Sequence, residues 1–443
     1  MNNTGFSDQK KSFFGFDFFL AVMVLALCTV GILFIYSSGI NSDNFQTSSE
    51  FIKQIVFCVI GIVFSVLILF VDYSRFRFLS VYLYCLSLIV LVFLLIFSPL
   101  INGSRSWIGI AGFGIQPSEF VKIAYILIFA RFIENKQKEI RTMKVFAEGF
   151  LLMLVPAGLV LLQPDLGTAS VYFAVFFIMF YVGGGNSRYI FFSLMVVLLT
   201  SVITVLPHWE ILIAKRKIPI LLLLTDPSYY FPFLFFWFFI FAVSAIGFFV
   251  YKKSFFYKIS YISLIFFISL ILGKIASDVL KDYQIKRLIV FLDPKVDPYG
   301  SGYHILQSLT VIGSGGFSGK GFMNGTLGKY DFLPQRSTDF IFSTIAEEWG
   351  FAGCFFVLAL FAMIMLKILL AARDAKDVFG RLICIGVFAL IFYHMVINIG
   401  MTIGVMPITG IPLIFISYGG SSLISSLIGI AFVLNIRMRR FGI

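Results

Sequence analysis

Long apolar runs recur along the whole chain, and each is about as long as a membrane-spanning helix. A helix needs roughly 17–25 mainly apolar residues to cross a bilayer. Twelve such runs lie at approximately residues 17–38, 54–72, 79–100, 116–133, 146–163, 168–183, 189–207, 229–251, 257–276, 351–371, 381–401 and 410–435. The sequence therefore predicts a single integral membrane domain, an all-α polytopic protein with about twelve transmembrane helices.

The composition indicates lipid rather than water as the main solvent. Of the 443 residues, 60% are apolar and 13% are charged, whereas soluble domains are about 45–50% apolar and about 25% charged. This excludes a cytosolic enzyme, a nucleic-acid-binding protein and a disordered chain. The net charge of +12 consequently needs an explanation other than nucleic acid.

The positions of the basic residues supply that explanation. With the N-terminus inside, the predicted cytoplasmic segments carry 20 of the 34 Lys and Arg residues, and the short outer loops carry five. Cytoplasmic loops of membrane proteins are enriched in Lys and Arg. We therefore expect both termini to be cytoplasmic and the long segment 277–349 to lie outside. The basic cluster 215–217 is the local exception.

The segment 277–349 is the longest polar stretch and is the first candidate for chemistry. Nine of the 37 glycines fall between Gly300 and Gly328, and acids occur at Asp293, Asp297, Asp331, Asp339, Glu347 and Glu348. Glycines permit tight turns and close backbone approach to a ligand. A Gly-rich connector with solvated charges is the competing interpretation, and composition does not separate the two.

Two charges fall inside a predicted span. Glu119 and Lys122, in QPSEFVKI, are three residues apart and therefore share one face of a helix. Charges in lipid are costly, so they should face the helix bundle and pair. A buried ion pair that fixes packing is the favoured interpretation, with a substrate or proton path as the alternative.

Three outer turns are rich in polar or helix-breaking residues. They are GSRSWIGI (103–110), which contains Trp107, QPDLGT (163–168), and GVMPITGIPLIFISYGGSS (404–422). Irregular backbone at membrane depth must be buried in protein or line a cavity. Together these turns predict an outward-facing crevice. The scattered histidines and the cysteines without a CxxC pair show no metal-ligand spacing.

The same turns carry a resemblance to a known family. QPSEFVKI, QPDLGT, DPYGSGYHILQS, IGSGGFSGKG, FLPQRSTDFIF followed by two Glu, and PITGIPLIFISYGGSS resemble the motifs of the SEDS (shape, elongation, division and sporulation) family, in the family's order. They cover most of the chain outside 185–275. GYHILQS, IGSGG and GTLGKYDFLP are more similar to the cell-elongation branch than to the division branch.

The resemblance implies a peptidoglycan glycosyltransferase of the bacterial cytoplasmic membrane. Its substrate would be lipid II, and its partners a class B penicillin-binding protein that supplies transpeptidation and other proteins of the elongation complex. The family's essential aspartate maps onto Asp297, its Trp-containing loop onto Trp107, and its helix-borne pair onto Glu119 and Lys122. The motifs also suggest supporting roles for Arg105, Lys320, Arg336, Asp339, Ser417, Gly419 and Gly420.

The sequence departs from the family pattern in places. Gln335, Ser337, Ile414 and Leu327 stand where the family usually has other residues, although Asp297 is kept. The family usually has ten spans, so the predicted twelve indicate an extra helical pair. We expect this pair within 189–251, outside a ten-span core.

The expected chemistry is a single displacement in which Asp297 acts as general base on the acceptor 4-hydroxyl. The pyrophosphate leaving group needs cations, for which Arg105, Lys122, Lys320 and Arg336 are candidates. The expected cofactor, if any, is a divalent cation, Mg²⁺ or Mn²⁺, which would bridge mainly through the substrate. A lipid II flippase or transporter, or a non-catalytic scaffold for a transpeptidase, is the competing function.

Overall fold

The computed structural model describes residues 15–40, 48–98, 106–110, 113–216, 218–280, 285, 288–297, 300–325 and 335–440. Within these ranges the chain is almost entirely helical. The main helices are α1 (Phe18–Ser38), α2 (Glu50–Phe70), α3 (Tyr73–Phe97), α4 (Pro117–Asn135), α5 (Met143–Leu162), α6 (Leu166–Val182), α7 (Ser187–Trp209), α8 (Pro227–Tyr251), α9 (Ser254–Val279), α10 (Ser301–Gly315), α11 (Ile341–Asp374), α12 (Val378–Thr402) and α13 (Gly420–Met438). A short antiparallel hairpin, β1 (Ile108–Ile110) and β2 (Phe113–Ile115), precedes α4.

Every predicted span corresponds to one of these helices. Ten of them are long and apolar enough to cross a membrane. The two remaining predicted spans correspond to α4, which carries Glu119 and Lys122, and to α6, which has 17 residues. Helix α10 does not correspond to a predicted span. The all-α polytopic fold is therefore confirmed, and the protein is a multi-pass membrane protein.

Several helices begin at an acidic residue that caps the first turn. The carboxylate of Asp17 accepts the N–H of Leu20 at 3.1 Å, and that of Asp165 accepts the N–H of Thr168 at 2.9 Å. Such caps satisfy N–H groups that have no partner within the helix. The caps place the helix starts at the edges of the apolar runs.

Two predicted boundaries were wrong. Helix α11 begins at Ile341 rather than near 351, and Gly350 interrupts it with φ 65° and ψ −162°. The predicted outer loop 277–349 includes these first turns with Glu347 and Glu348, yet both residues are buried. Segment 277–349 therefore contains α10 and the start of α11.

The last span was predicted from 410, but α13 begins at Gly420. Pro412 has no N–H for a helix, and Phe415 has φ 69°. The irregular backbone before α13 is nevertheless buried, with Leu413 and Ile416 fully enclosed, as we expected for broken backbone at membrane depth.

The chain divides into two compact units. The first comprises Met1–Asn186 and Gln307–Ile443. Its centre is formed by α12 and α13, which are buried along most of their length. The amide of Asn435 on α13 donates to the carbonyls of Ile68 and Val71 at the end of α2, at 2.7 and 2.6 Å. These bonds hold α13 against α2.

The second unit comprises Ser187–Leu306 and contains α7, α8 and α9. Helix α9 packs against both α7 and α8. Trp237 on α8 stacks on Phe266 of α9 with ring centroids 4.4 Å apart, and the Thr204 hydroxyl on α7 donates to the Gly273 carbonyl of α9 at 3.3 Å. The predicted helical pair at 189–251 thus belongs to a bundle of three helices.

Candidate functional site

In the second unit, Asp297 lies between a 3₁₀ turn, Pro294–Val296, and the start of α10. The carbonyl of Asp297 accepts the N–H of Gly300 at 3.3 Å. Its carboxylate lies so close to Gly300 that a Cβ there would be 2.8 Å from the carboxyl carbon. Glycine therefore lets the half-buried carboxylate lie against the residue that precedes α10, near the helix end whose dipole favours an anion.

Asp293, four residues earlier, has a structural role. Its side chain accepts the N–H of Lys295 at 3.0 Å and caps the 3₁₀ turn. Asp293 is the competing candidate for the role of catalytic base, and the alternative interpretation is that it caps or braces the loop. The cap agrees with the interpretation that Asp293 braces the loop.

Glu119 and Lys122, in the first unit, form the predicted buried ion pair. The Lys122 ammonium lies 2.8 Å from both carboxylate oxygens of Glu119 and 3.2 Å from Nε2 of His394 on α12. All three residues are at most 3% exposed. Because His394 Nδ1 lies 3.0 Å from the Pro412 carbonyl, Nδ1 must carry the proton, which leaves Nε2 to accept from Lys122.

The sequence did not single out His394, since it stands 272 residues from Lys122 in the chain. The triad joins α4, α12 and the irregular segment before α13. The Lys122 ammonium has its hydrogen-bond partners within the protein, in Glu119 and His394. This favours the structural interpretation of the pair.

Ser417 and Gly419 are held by Gln54 of α2, a residue that the motifs did not indicate. The Gln54 amide donates to the Ser417 carbonyl at 3.1 Å and accepts the N–H of Gly419 at 3.3 Å. The Ser417 hydroxyl accepts the N–H of Leu413 at 2.8 Å. Gly420 lies against the ring of Phe57, which leaves no room for a side chain. These residues shape the backbone before α13.

Asp339 reaches the same irregular segment. The Asn398 amide on α12 donates to the carbonyls of Asp339 at 3.0 Å and Ile411 at 2.8 Å. One Asp339 carboxylate oxygen lies 3.6 Å from where a Cβ of Gly410 would stand. The neighbouring Arg336 is half-buried. The motifs at 335–340 and 404–422 are therefore in contact.

Two of the turns that are predicted to be outer are joined within the first unit, through Gln116. The Gln116 side-chain amide donates to Asp165 at 2.8 Å, and its backbone N–H donates to the Ser421 hydroxyl at 2.8 Å. Trp107 is half-buried, with its indole against Gly114 of the neighbouring strand. Arg105 lies outside the described residues. Asp165 and Ser421 are thus joined through Gln116, and the outward-facing crevice stays a prediction.

Lys320 pairs with Glu347, a partner that the sequence did not indicate. Its ammonium lies 2.7 Å from the fully buried Glu347. The backbone N–H groups of Lys320 and Gly321 donate to the carbonyls of Glu347 and Glu348 at 3.0 and 2.9 Å. The glycine-rich stretch 313–325 is thus hydrogen-bonded to the first turns of α11, next to the kink at Gly350. Lys320 acts here as the counter-ion of Glu347.

Among the described residues, no group of three or more His, Cys, Asp or Glu side chains is placed to hold a metal ion. The acid Asp331 lies outside those residues.

The chain is similar to known proteins over nearly its whole length. A family model for the FtsW/RodA/SpoVE cell cycle proteins matches residues 18–230 and 218–441. The peptidoglycan glycosyltransferase RodA of Treponema pallidum is 42% identical over 96% of this chain and 98% of that protein. The peptidoglycan glycosyltransferase MrdB of Escherichia coli K12 is 30% identical over 98% and 97%, respectively.

Solved structures agree with these sequence matches. A chain in the structure described as "Structural coordination of polymerization and crosslinking by a peptidoglycan synthase complex" matches with a TM-score of 0.68 and 26% identity, over 97% of this chain and 99% of that one. The crystal structure of the Thermus thermophilus rod shape determining protein RodA matches with a TM-score of 0.59 and 24% identity, over 97% and 98%. At 24% identity, the match to the Thermus thermophilus protein supports the fold alone.

Proposed function

Because the chain belongs to the FtsW/RodA/SpoVE family of cell cycle proteins, which the SEDS motifs also indicated, we propose that it is a peptidoglycan glycosyltransferase. It polymerises lipid II into β-1,4 glycan strands during cell-wall elongation. The observation that carries this proposal is the 42% identity, over nearly the full length of both chains, to a protein named peptidoglycan glycosyltransferase RodA.

In the proposed reaction, Asp297 is the general base. It takes the proton from the acceptor 4-hydroxyl as that oxygen attacks the anomeric carbon of the donor sugar. The bond from that carbon to the undecaprenyl pyrophosphate breaks, and the pyrophosphate leaves with the electron pair. A single displacement inverts the configuration, from the α-linked lipid to the β-linked glycan. A positioned base contributes roughly 10²–10⁴-fold to such a rate.

The geometry around Asp297 supports this role. The carboxylate is half-buried, lies against Gly300 and stands at the start of α10. A base in such a position is oriented before the substrate arrives. Orientation of a reacting group is a large part of what an enzyme contributes.

The charge of the departing pyrophosphate requires cationic groups. We assign this role to Arg105 and Arg336, because a guanidinium group can bind phosphate oxygens through two parallel hydrogen bonds, with Trp107 as a supporting residue. Lys122 and Lys320 each face a buried carboxylate. Mg²⁺ or Mn²⁺ would be bound mainly by the pyrophosphate oxygens, because the described residues do not form a ligand cluster of their own.

The proposed setting is the bacterial cytoplasmic membrane, with both termini in the cytoplasm and Asp297 on the outer side. The synthase complex that contains the similar chain coordinates polymerisation with crosslinking. By analogy we propose a transpeptidase partner, specifically a class B penicillin-binding protein, within an elongation complex.

Polymerisation of purified lipid II by the purified full chain, with and without its transpeptidase partner, tests the proposal. Asp297→Asn should lower the rate at least about 100-fold while membrane insertion and partner binding persist. Asp293→Asn is the matched control, because it removes the same charge and Asn remains a good cap; it should stay within a few-fold of wild type.

Wild-type rate in the Asp297→Asn variant would refute the role of Asp297. A wild-type chain that moves lipid II across vesicle membranes but forms no glycan, with or without its partner, would instead favour the transporter. A chain that only raises the partner's crosslinking would favour the scaffold.

A further inference from the structure

A surface groove of about 550 Å³ opens at one end of the second unit, between the first turns of α7 and α9. Its walls are formed by Arg188 and Phe191 of α7 and by Tyr257, Lys258, Tyr261 and Ile262 of α9. The volume lies in the range typical of small-molecule sites. None of the residues proposed for polymerisation lines it.

The walls of the groove are held by contacts between the two helices. The Tyr261 hydroxyl donates to the Arg188 carbonyl at 2.7 Å. The Arg188 guanidinium lies 5.8 Å from the centre of the Tyr257 ring, and Tyr261 packs edge-on against Phe192 at 5.6 Å. These contacts fix the tyrosines and the start of α7 in place before any ligand arrives.

The groove lies in a positive environment. Arg188 and Lys258 belong to its walls, and Lys252 and Lys253 occupy the turn that leads into α9. Residues 187–209 and 227–277 contain no Asp or Glu. Helices α7 and α9 both begin at this end, so both present the positive ends of their dipoles. An anionic ligand is the complementary partner.

The groove also has an apolar side that continues into the lipid-facing surface. Phe191 and Ile262 are each 52% exposed and lie about one turn further along their helices than the cations. Tyrosines are enriched where the membrane meets water. The distribution of Lys and Arg assigns this end to the cytoplasmic leaflet.

We propose that this groove binds the headgroup of an anionic phospholipid from the cytoplasmic leaflet. The phosphate contacts Arg188 and Lys258, and the tyrosine hydroxyls face the glycerol region. The acyl chains run along Phe191 and Ile262. Basic pockets between transmembrane helices on the cytoplasmic side bind anionic headgroups in this way.

Native mass spectrometry of the full chain in detergent tests the proposal without requiring glycosyltransferase activity. The chain is titrated with phosphatidylglycerol and, separately, with phosphatidylcholine carrying the same acyl chains. Wild type should bind phosphatidylglycerol more tightly. Arg188→Gln/Lys258→Gln should weaken that binding roughly 30-fold, since each basic side chain near an anionic lipid contributes a factor of about five.

The control variant Arg141→Gln/Lys144→Gln removes the same charge from exposed positions predicted on the same membrane face. It should leave the affinity within about two-fold of wild type. The charge-preserving Arg188→Lys/Lys258→Arg variant should retain binding. If the double neutral variant does not fold, Lys258→Gln alone should weaken binding about five-fold.

Equal affinity for the two lipids would overturn the proposal. So would an equal loss in the control variant, because the effect would then be general surface electrostatics. Wild-type affinity in the folded Arg188→Gln/Lys258→Gln variant would also overturn it.

Discussion

Lys122 and His394 meet across two helices, with 3.2 Å between the ammonium and Nε2 of the imidazole. Glu119 supplies the counter-charge, and the Pro412 carbonyl fixes the tautomer of the imidazole. A buried charge is tolerated only when it is paired and hydrogen-bonded. The contact therefore ties the position of α4 to α12 and to the backbone before α13.

We expect Glu119 and Lys122 to be energetically coupled. Glu119→Ala and Lys122→Ala should each cost about 3–5 kcal/mol of stability, because each leaves the other charge buried alone. The double variant should cost clearly less than the sum. Thermal unfolding of wild type, the two single variants and the double variant in detergent completes a double-mutant cycle. Strict additivity of the two stability losses would contradict the pairing.

His394→Ala should cost about 1–3 kcal/mol, because it removes the partner of one Lys122 N–H and of the Pro412 carbonyl. His394→Gln, which can both donate and accept, should recover part of the loss. Phe392→Ala is a suitable control on the same helix, since Phe392 is 39% exposed. Equal melting temperatures for His394→Ala and wild type would show that the imidazole contact is dispensable.

Gly350→Ala should destabilise the protein by at least about 2 kcal/mol. Its backbone angles are strained for any residue with a side chain, and a Cβ would lie 2.6 Å from the Phe317 carbonyl oxygen. Gly313→Ala is the control: that glycine lies in α10 with no heavy atom within 4 Å of the added Cβ, and Ala favours helix. Similar melting temperatures for the two variants would mean that the kink is not required.

Deletion of 189–251 with a short linker should leave polymerisation intact. The segment holds most of α7 and all of α8, and the family model divides its match within 218–230, inside this segment. An even number of spans is removed, so the downstream topology should persist. Lipid II polymerisation by the purified variant is the measurement. A folded variant without activity would instead favour helices that form a wall of the lipid II entry path.

The sequence alone determined the approximate positions of the membrane-spanning helices, because crossing a bilayer demands about 20 consecutive apolar residues. This requirement is local and can be read along the chain. The pairing of Glu119 with Lys122 followed from a separation of three residues on a helix. The order of the motifs identified Asp297 as the candidate base, and this role awaits the proposed experiment.

Only the tertiary structure decided which distant residues meet. His394 stands beside Lys122, Gln54 holds Ser417 and Gly419, and Glu347 pairs with Lys320. These partners are far apart in the chain, and no local pattern links them. The start of α11 and the kink at Gly350 likewise depend on packing. Contacts with the glycine-rich stretch 313–325 allow Glu347 and Glu348 to be buried within the first turns of α11.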